Sequence, residues 1–339
     1  MTGRASFLTL QRLAFWLTIL SIAVIGAGLL SIALGSTWIP PNEVFSALFN
    51  GGGLTGTIIQ EVRLPRVLLA GIVGAALAVA GVVFQALLRN ALADPFLLGI
   101  SGGAGLGAAI ATAIGANFTI GGLSGMPLFA FAGAMCAILL VYLFSRAGGG
   151  LNLHAMLLAG VVVNSICASA ILGLTVMLSQ ENLQRMTFWM MGHLSSMEMD
   201  RIAHLAIYVL IGMVILFSVA RELNQMSLGE SQAAFLGTNV ELTKILSFVG
   251  ASLITGGAVA ASGIIGFVGL IVPHAMRFIV GPDHRILMPA SMLGGAAFLM
   301  LADALARTVF APTELPVGVI TALVGGPAFL ALLVKRTRG

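Results

Sequence analysis

The sequence predicts an all-α polytopic membrane protein of about ten transmembrane helices, built as one transmembrane domain over residues 1–339. Three observations predict it. Hydrophobic residues make up 59% of the chain and charged residues 8%, against about 25% charged in soluble domains. The mean hydropathy is +1.07. Apolar runs fill almost the whole length, far longer than barrel strands and without their alternation. Roughly 20 apolar residues cross the hydrocarbon core as a helix, which satisfies its own backbone where no water is available.

The predicted spans are 13–34, 63–88, 97–115, 128–146, 154–179, 202–220, 244–262, 263–281, 287–307 and 317–334. The first follows Arg4 and Arg12; it outruns a signal-peptide core and is expected to be retained, although Ala33-Leu34-Gly35 has some look of a cleavage site. The second opens at Arg63-Leu-Pro-Arg66, where Pro65 suits a first helical turn. The third follows a turn marked by Asn90, Asp94 and Pro95, with Asp94 placed to cap it. The fourth, fifth and sixth are continuous apolar runs. The seventh and eighth share one glycine-interrupted block, 244–281, too long for one crossing and with room for a short broken helix. The ninth ends near Asp303 and Arg307, and the tenth precedes the tail Lys335–Arg338.

Charge sets the parity. With a cytoplasmic N-terminus and ten spans, Arg4, Arg12, Arg89, Arg146, Arg221, Lys244, Arg285, Lys335, Arg336 and Arg338 lie inside. Arg63, Arg66, Arg185, Arg201 and Arg307 lie outside, and Arg277 is ambiguous. Nine spans would turn the basic tail outward, against the positive-inside rule. Both termini are therefore expected in the cytoplasm, and the net charge of +4 speaks of orientation in a cytoplasmic membrane rather than of nucleic acid. Many of the 43 glycines sit within spans, where small residues let helices approach closely. Cys136 and Cys167 also lie within apolar runs, as packing residues without metal-ligand spacing.

No catalytic site, metal site or nucleotide motif is found in this chain. Gly51-Gly52-Gly53 precedes no lysine, and the five histidines are scattered. The informative residues lie between spans. Arg63 and Arg66 share a helix face, either snorkelling to headgroups or forming a positive patch for a partner's acids. Asp303 and Arg307 stand at i, i+4 with the acid first, so self-pairing is one reading. The longest inner loop, 221–243, carries a short amphipathic helix bounded by Gly229 and Gly237, with Ser227 and Glu230 in capping-box spacing. Its length and helix suggest docking to a cytoplasmic protein. An ion-gradient-driven secondary transporter is the alternative class; it would want acids near the bilayer midplane, and only Asp303 comes close.

Together these segments resemble the FecCD family of permeases. RLPR at 63–66, GAALAVAGVVFQALLRNALADPFLLGIS at 74–101, LLAG at 157–160, FWMMG at 188–192, LGESQAAFLG at 228–237, SGIIGFVGLIVPHAMR at 262–277 and ELPVGVITALVGGPAF at 314–329 stand in the family's order. Asn90-Ala91 departs from the family's usual Asn-Pro. The resemblance implies the type II ABC importer fold: ten helices per subunit, a homodimer, two cytoplasmic ATP-binding subunits that hold ATP and Mg, and a soluble substrate-binding protein outside. It implies a bulky metal chelate as substrate, a ferric siderophore foremost, with haem and cobalamin in the same class. The path would run along the dimer axis, lined by the fifth and tenth spans. By motif position, Arg63, Arg66 and Arg307 would dock the binding protein. Leu228, Gly229, Glu230, Gln232, Ala233, Leu236 and Gly237 would couple to the ATPase, and Asn152, Leu153 and His154 would form the cytoplasmic gate.

Overall fold

The structure, a computed structural model, describes residues 9–35, 37–50, 53–116, 118–120, 123–146, 150–195 and 197–337. Arg4 and Arg338 of the charge count lie outside them. The chain begins with α1 (Leu10–Ala33), whose N-cap Thr9 accepts the Arg12 amide at 3.3 Å. Then come α2 (Pro41–Asn50) and α3 (Gly53–Thr57), which runs through a π-helical turn (Ile58–Arg63) into α4 (Leu64–Leu87). A 3-10 turn (Pro95–Leu98) precedes α5 (Ile100–Ala113), and β1 (Thr119–Ile120) pairs antiparallel with β2 (Leu123–Ser124). There follow α6 (Gly125–Ser145), α7 (Leu153–Thr175), α8 (Gln180–Met190), α9 (Met199–Ser218), α10 (Ala220–Met226) and α11 (Glu230–Phe235). The chain closes with α12 (Val240–Ser262), α13 (Val268–Val280), α14 (His284–Thr308) and α15 (Val317–Thr337).

Among the described residues, seven helices are long and apolar enough to cross a membrane, α5 and α13 are shorter apolar helices, and α15 is apolar over Val317–Ala331. Those ten match the ten predicted spans. Their directions alternate. Arg12 of α1 reaches the Val280 carbonyl at the end of α13, while Arg63 before α4 reaches Ile32 and Ala33 at the other end of α1. Both described chain ends thus lie on one side, here the terminal face, with the 88–94 and 219–239 connections. The far face carries the α1–α4, α8–α9 and α14–α15 connections.

The bundle is organised around α4, which packs against α14, α12, α13 and α9. Close approach comes from missing side chains. A methyl on Gly74 would overlap the Gly295 carbonyl of α14, and one on Gly81 would overlap the Gly269 carbonyl of α13. Lipid gives little drive for helices to associate, so such backbone-to-backbone contact supplies the packing.

The second span differs from its predicted start. Helix is continuous from Gly53, and the π turn bonds Leu64 N–H to the Ile59 carbonyl. Pro65 has no N–H and would crowd the carbonyl four residues back; the wider turn fits that proline inside a helix. The block 244–281 is a full span and a half helix, as the glycine interruptions suggested. Residues 263–267 are non-helical, with Phe267 at φ 69°. Pro273 offers no N–H to the Gly269 carbonyl, and the buried Gln85 side chain donates to it instead at 3.2 Å. Irregular backbone at membrane depth needs such protein partners. The short helices α2, α8 and α10 were not anticipated.

Candidate functional site

Two polar clusters stand out, one at each face. At the far face Arg63, Arg66 and Arg307 converge, all three buried (5%, 7% and 5% exposed). Arg63 closes the C-terminal end of α1: Nη1 donates to the Ile32 and Ala33 carbonyls at 2.7 and 3.1 Å, and Nη2 to the Thr37 carbonyl at 2.7 Å. The last carbonyls of a helix lack intrahelical donors, and a cation there also meets the helix dipole. Arg307 joins the same helix end through Leu34 and Ser31, at 3.1 and 2.9 Å.

Asp303 lies between the other two guanidiniums with no exposure. Arg66 Nε donates to both of its oxygens at 3.1 Å. Arg307 Nε stands 2.9 Å from Oδ2, an ion pair without hydrogen-bond geometry. Arg66 Nη1 also holds Glu314, 42% exposed, at 2.7 Å. So the three arginines come together as the sequence suggested, and Asp303 and Arg307 pair. Arg63 and Arg66, though three residues apart, turn to different partners. Near them His193, after α8, donates its backbone amide to the Ser262 carbonyl at 2.8 Å. Burial, and then the Arg66 charge, hold its imidazole below the ordinary histidine range.

At the terminal face α11 forms where the amphipathic segment predicted a helix. Ala233 is its buried anchor, while Leu228, Phe235 and Leu236 are 60%, 91% and 57% exposed. Gly229, at φ 128°, is the N-cap, and Gly237, at φ 86°, ends the turn. The expected capping box does not form: the Ser227 hydroxyl donates to the Asn224 carbonyl instead. Gln232 is exposed. Glu230 accepts from Lys244 at 2.6 Å and lies 4.0 Å from Arg89.

Asn152, Leu153 and His154 open α7. The Asn152 side chain caps the helix, accepting the His154 and Ala155 amides at 3.0 and 3.1 Å. The three line a cavity of about 600 Å³ that also contains Arg89, Glu230 and Lys244. The structure thus brings the Asn152–His154 segment and the first residue of α11 to one cavity. Sequence reasoning missed Lys244, Glu314 and Glu241, whose carboxylate accepts the Leu151 N–H at 3.3 Å. Glu314 lies 248 residues from Arg66, and Glu241 and Lys244 lie 90 and 93 residues from Leu151, so no local spacing marks these contacts. Among the described residues no group of three or more His, Cys, Asp or Glu side chains could hold a metal.

A profile of the FecCD transport family matches residues 21–335. The hemin transport system permease protein HmuU of Yersinia pestis is 38% identical over 340 residues, 99% of this chain and 98% of its own. The vitamin B12 import system permease protein BtuC of Salmonella typhi is 38% identical over 328 residues, 97% of each chain. A solved structure of a metal-chelate type ABC transporter in an inward-facing conformation superposes with a TM-score of 0.81 at 30% identity. That match covers 95% of this chain and 99% of the other. By family profile, full-length similarity and helical architecture alike, the chain is a multi-pass membrane permease belonging to the FecCD transport family.

Proposed function

We propose that the chain is the permease subunit of an ABC importer that moves a bulky metal chelate across the cytoplasmic membrane. It works as a homodimer, with two ATP-binding subunits on the terminal face, which is cytoplasmic, and a substrate-binding protein on the far face. The observation that carries this reading is the exposed apolar tip of α11. Leu228, Phe235 and Leu236 are presented to solvent on a polar connection outside the spans, Phe235 and Leu236 side by side in the chain, and large apolar groups exposed together on such a surface mark a partner site. The relatives named for hemin and vitamin B12 support a bulky chelate, and a ferric siderophore falls in the same class. Asp303, the acid an ion-driven carrier would need, is already held by two arginines.

Alternating access follows from these parts. ATP is bound and hydrolysed on the partner. The α11 segment takes up the partner's movement, and the Asn152–His154 segment opens or closes the path. Arg63, Arg66 and Arg307 underlie the surface that meets the binding protein. The test is co-purification. The wild-type chain should retain its ATPase through detergent extraction. Phe235→Asp with Gln232→Glu, both at exposed positions, should lose it while the membrane domain melts as before. Full retention by that variant would remove α11 from the interface.

A further inference from the structure

Leu151 and Lys244 are 93 residues apart, yet the first two turns of α12 grip Leu151 by both of its backbone polar groups. The Glu241 carboxylate accepts the Leu151 N–H at 3.3 Å, and Lys244 Nζ donates to the Leu151 carbonyl at 3.3 Å. The same Nζ donates to Glu230 at 2.6 Å. Lys244 is 7% exposed and Leu151 3%. One buried ammonium therefore joins the first residue of α11 to the residue just before the N-cap of α7.

We infer that Lys244 is the positioning residue through which displacement of α11 reaches the gate segment at Leu153–His154. This rests on the function proposed above and names the link between its two ends. A charge-assisted hydrogen bond is short and strong, and separating this pair leaves the buried Lys244 ammonium without its carboxylate, whereas Glu230, 39% exposed, keeps contact with water. When Glu230 moves with α11, Lys244 follows it and draws on the Leu151 carbonyl. Asn152 caps α7 from the very next position, so the pull arrives at the start of that helix. The cavity of about 600 Å³ between Arg89, Asn152, Leu153, His154, Glu230 and Lys244 leaves space for the shift. The plainer role, neutralising Glu230, needs the charge of Lys244 but not its bond to Leu151.

The experiment uses the complex of the full chain with its ATPase and binding protein, in liposomes. Cys136 and Cys167 are replaced by alanine, Leu153→Cys is added, and maleimide labelling rates are measured with and without ATP. Coupling between sites is typically worth about fivefold or more, so the parent should show a clear ratio of rates. Lys244→Met, which keeps the length of the side chain and loses both bonds, should bring the ratio to about one, the value for no coupling, with the ATPase still bound. Lys244→Arg, which keeps the donors, should preserve it. The charge-balanced pair Glu230→Gln with Lys244→Met should stay unresponsive. A responsive Lys244→Met, or a response restored by the balanced pair, overturns the inference alone. A parent whose labelling ignores ATP overturns the gate reading, and this inference with it.

Discussion

Asp303 is the residue on which the far-face cluster turns. Its carboxylate has no exposure and meets Arg66 and Arg307, and those two arginines reach Glu314 and the end of α1. Removing one partner of a buried ionic group leaves charge uncompensated and costs about 3–5 kcal/mol. Asp303→Ala is therefore expected to lower the melting temperature in detergent sharply, and Arg307→Ala to lower it as well, because the Ser31 and Leu34 carbonyls lose their donor. Melting unchanged in both variants would show that the cluster is not structural. The i, i+4 spacing made the Asp303–Arg307 pair legible in the sequence. Arg66–Asp303, at a separation of 237 residues, was not. Asp283, in the α13–α14 turn, tests the other face. Hydrogen bonds from Arg285 first, and then from Asn224, hold its carboxyl at about 2 despite some burial. A depressed folded value gives stability that is fully present above the unfolded value of about 3.9 and is lost as pH falls through the folded one. Asp283→Asn should therefore melt below the wild type at pH 7, and the difference should close between about pH 4 and pH 2. A difference that persists undiminished to pH 2 would point to packing rather than charge.

Between elements, the packing of α4 against α13 and α14 depends on positions with no side chain. A methyl at Gly81 would meet the Gly269 carbonyl, whereas one at Gly26 on α1 would meet nothing within 4 Å. Overpacking a tight core costs about 1–3 kcal/mol. Gly81→Ala is expected to lower the melting temperature and Gly26→Ala to leave it unchanged or raised; equal melting of the two would contradict the close approach. The spans themselves were legible, because a stretch of apolar residues long enough to cross a bilayer has few other uses. The glycine block at 244–281 likewise announced its break, which falls at 263–267. What the sequence hid were the short helices. Pro41–Asn50 and Gln180–Met190 lack the length of a span, and their start signals, Pro41 and the N-cap Ser179, recur in many turns. The early start of helix at Gly53 was hidden for a related reason. Pro65 reads as a helix beginning unless a π turn lets the helix pass through it.

On the scale of the whole molecule, the two clusters sit on opposite faces of one bundle, and the proposed machine needs both. The terminal cluster was half legible: the amphipathic segment was seen, but its tie to Leu151 through Lys244 spans too much chain. At the far face, the docking proposal must reckon with arginines that are already satisfied. Reversing Arg63 and Arg66 would strip α1 and Asp303 of partners, so lost docking could not be separated from lost folding. Glu314 gives a cleaner test. It is the half-exposed member of the cluster and occupies one donor of Arg66, so an incoming carboxylate from a binding protein would compete with it. Arg66 is buried but keeps Asp303 as its ionic partner, and the Glu314 carboxylate is 42% exposed, so Glu314→Gln should lower melting far less than Asp303→Ala. It should also tighten docking, because the Arg66 donor is freed and a carboxylate that repels the incoming acid is removed. Charges at a rim act chiefly on encounter and on salt dependence, so the gain should be largest at low ionic strength and shrink at high. Docking measured for the wild type and Glu314→Gln at two salt concentrations decides the matter. If the variant docks as the wild type does at both, no partner acid reaches Arg66, and the guanidinium serves only to hold Asp303 and the bundle around it.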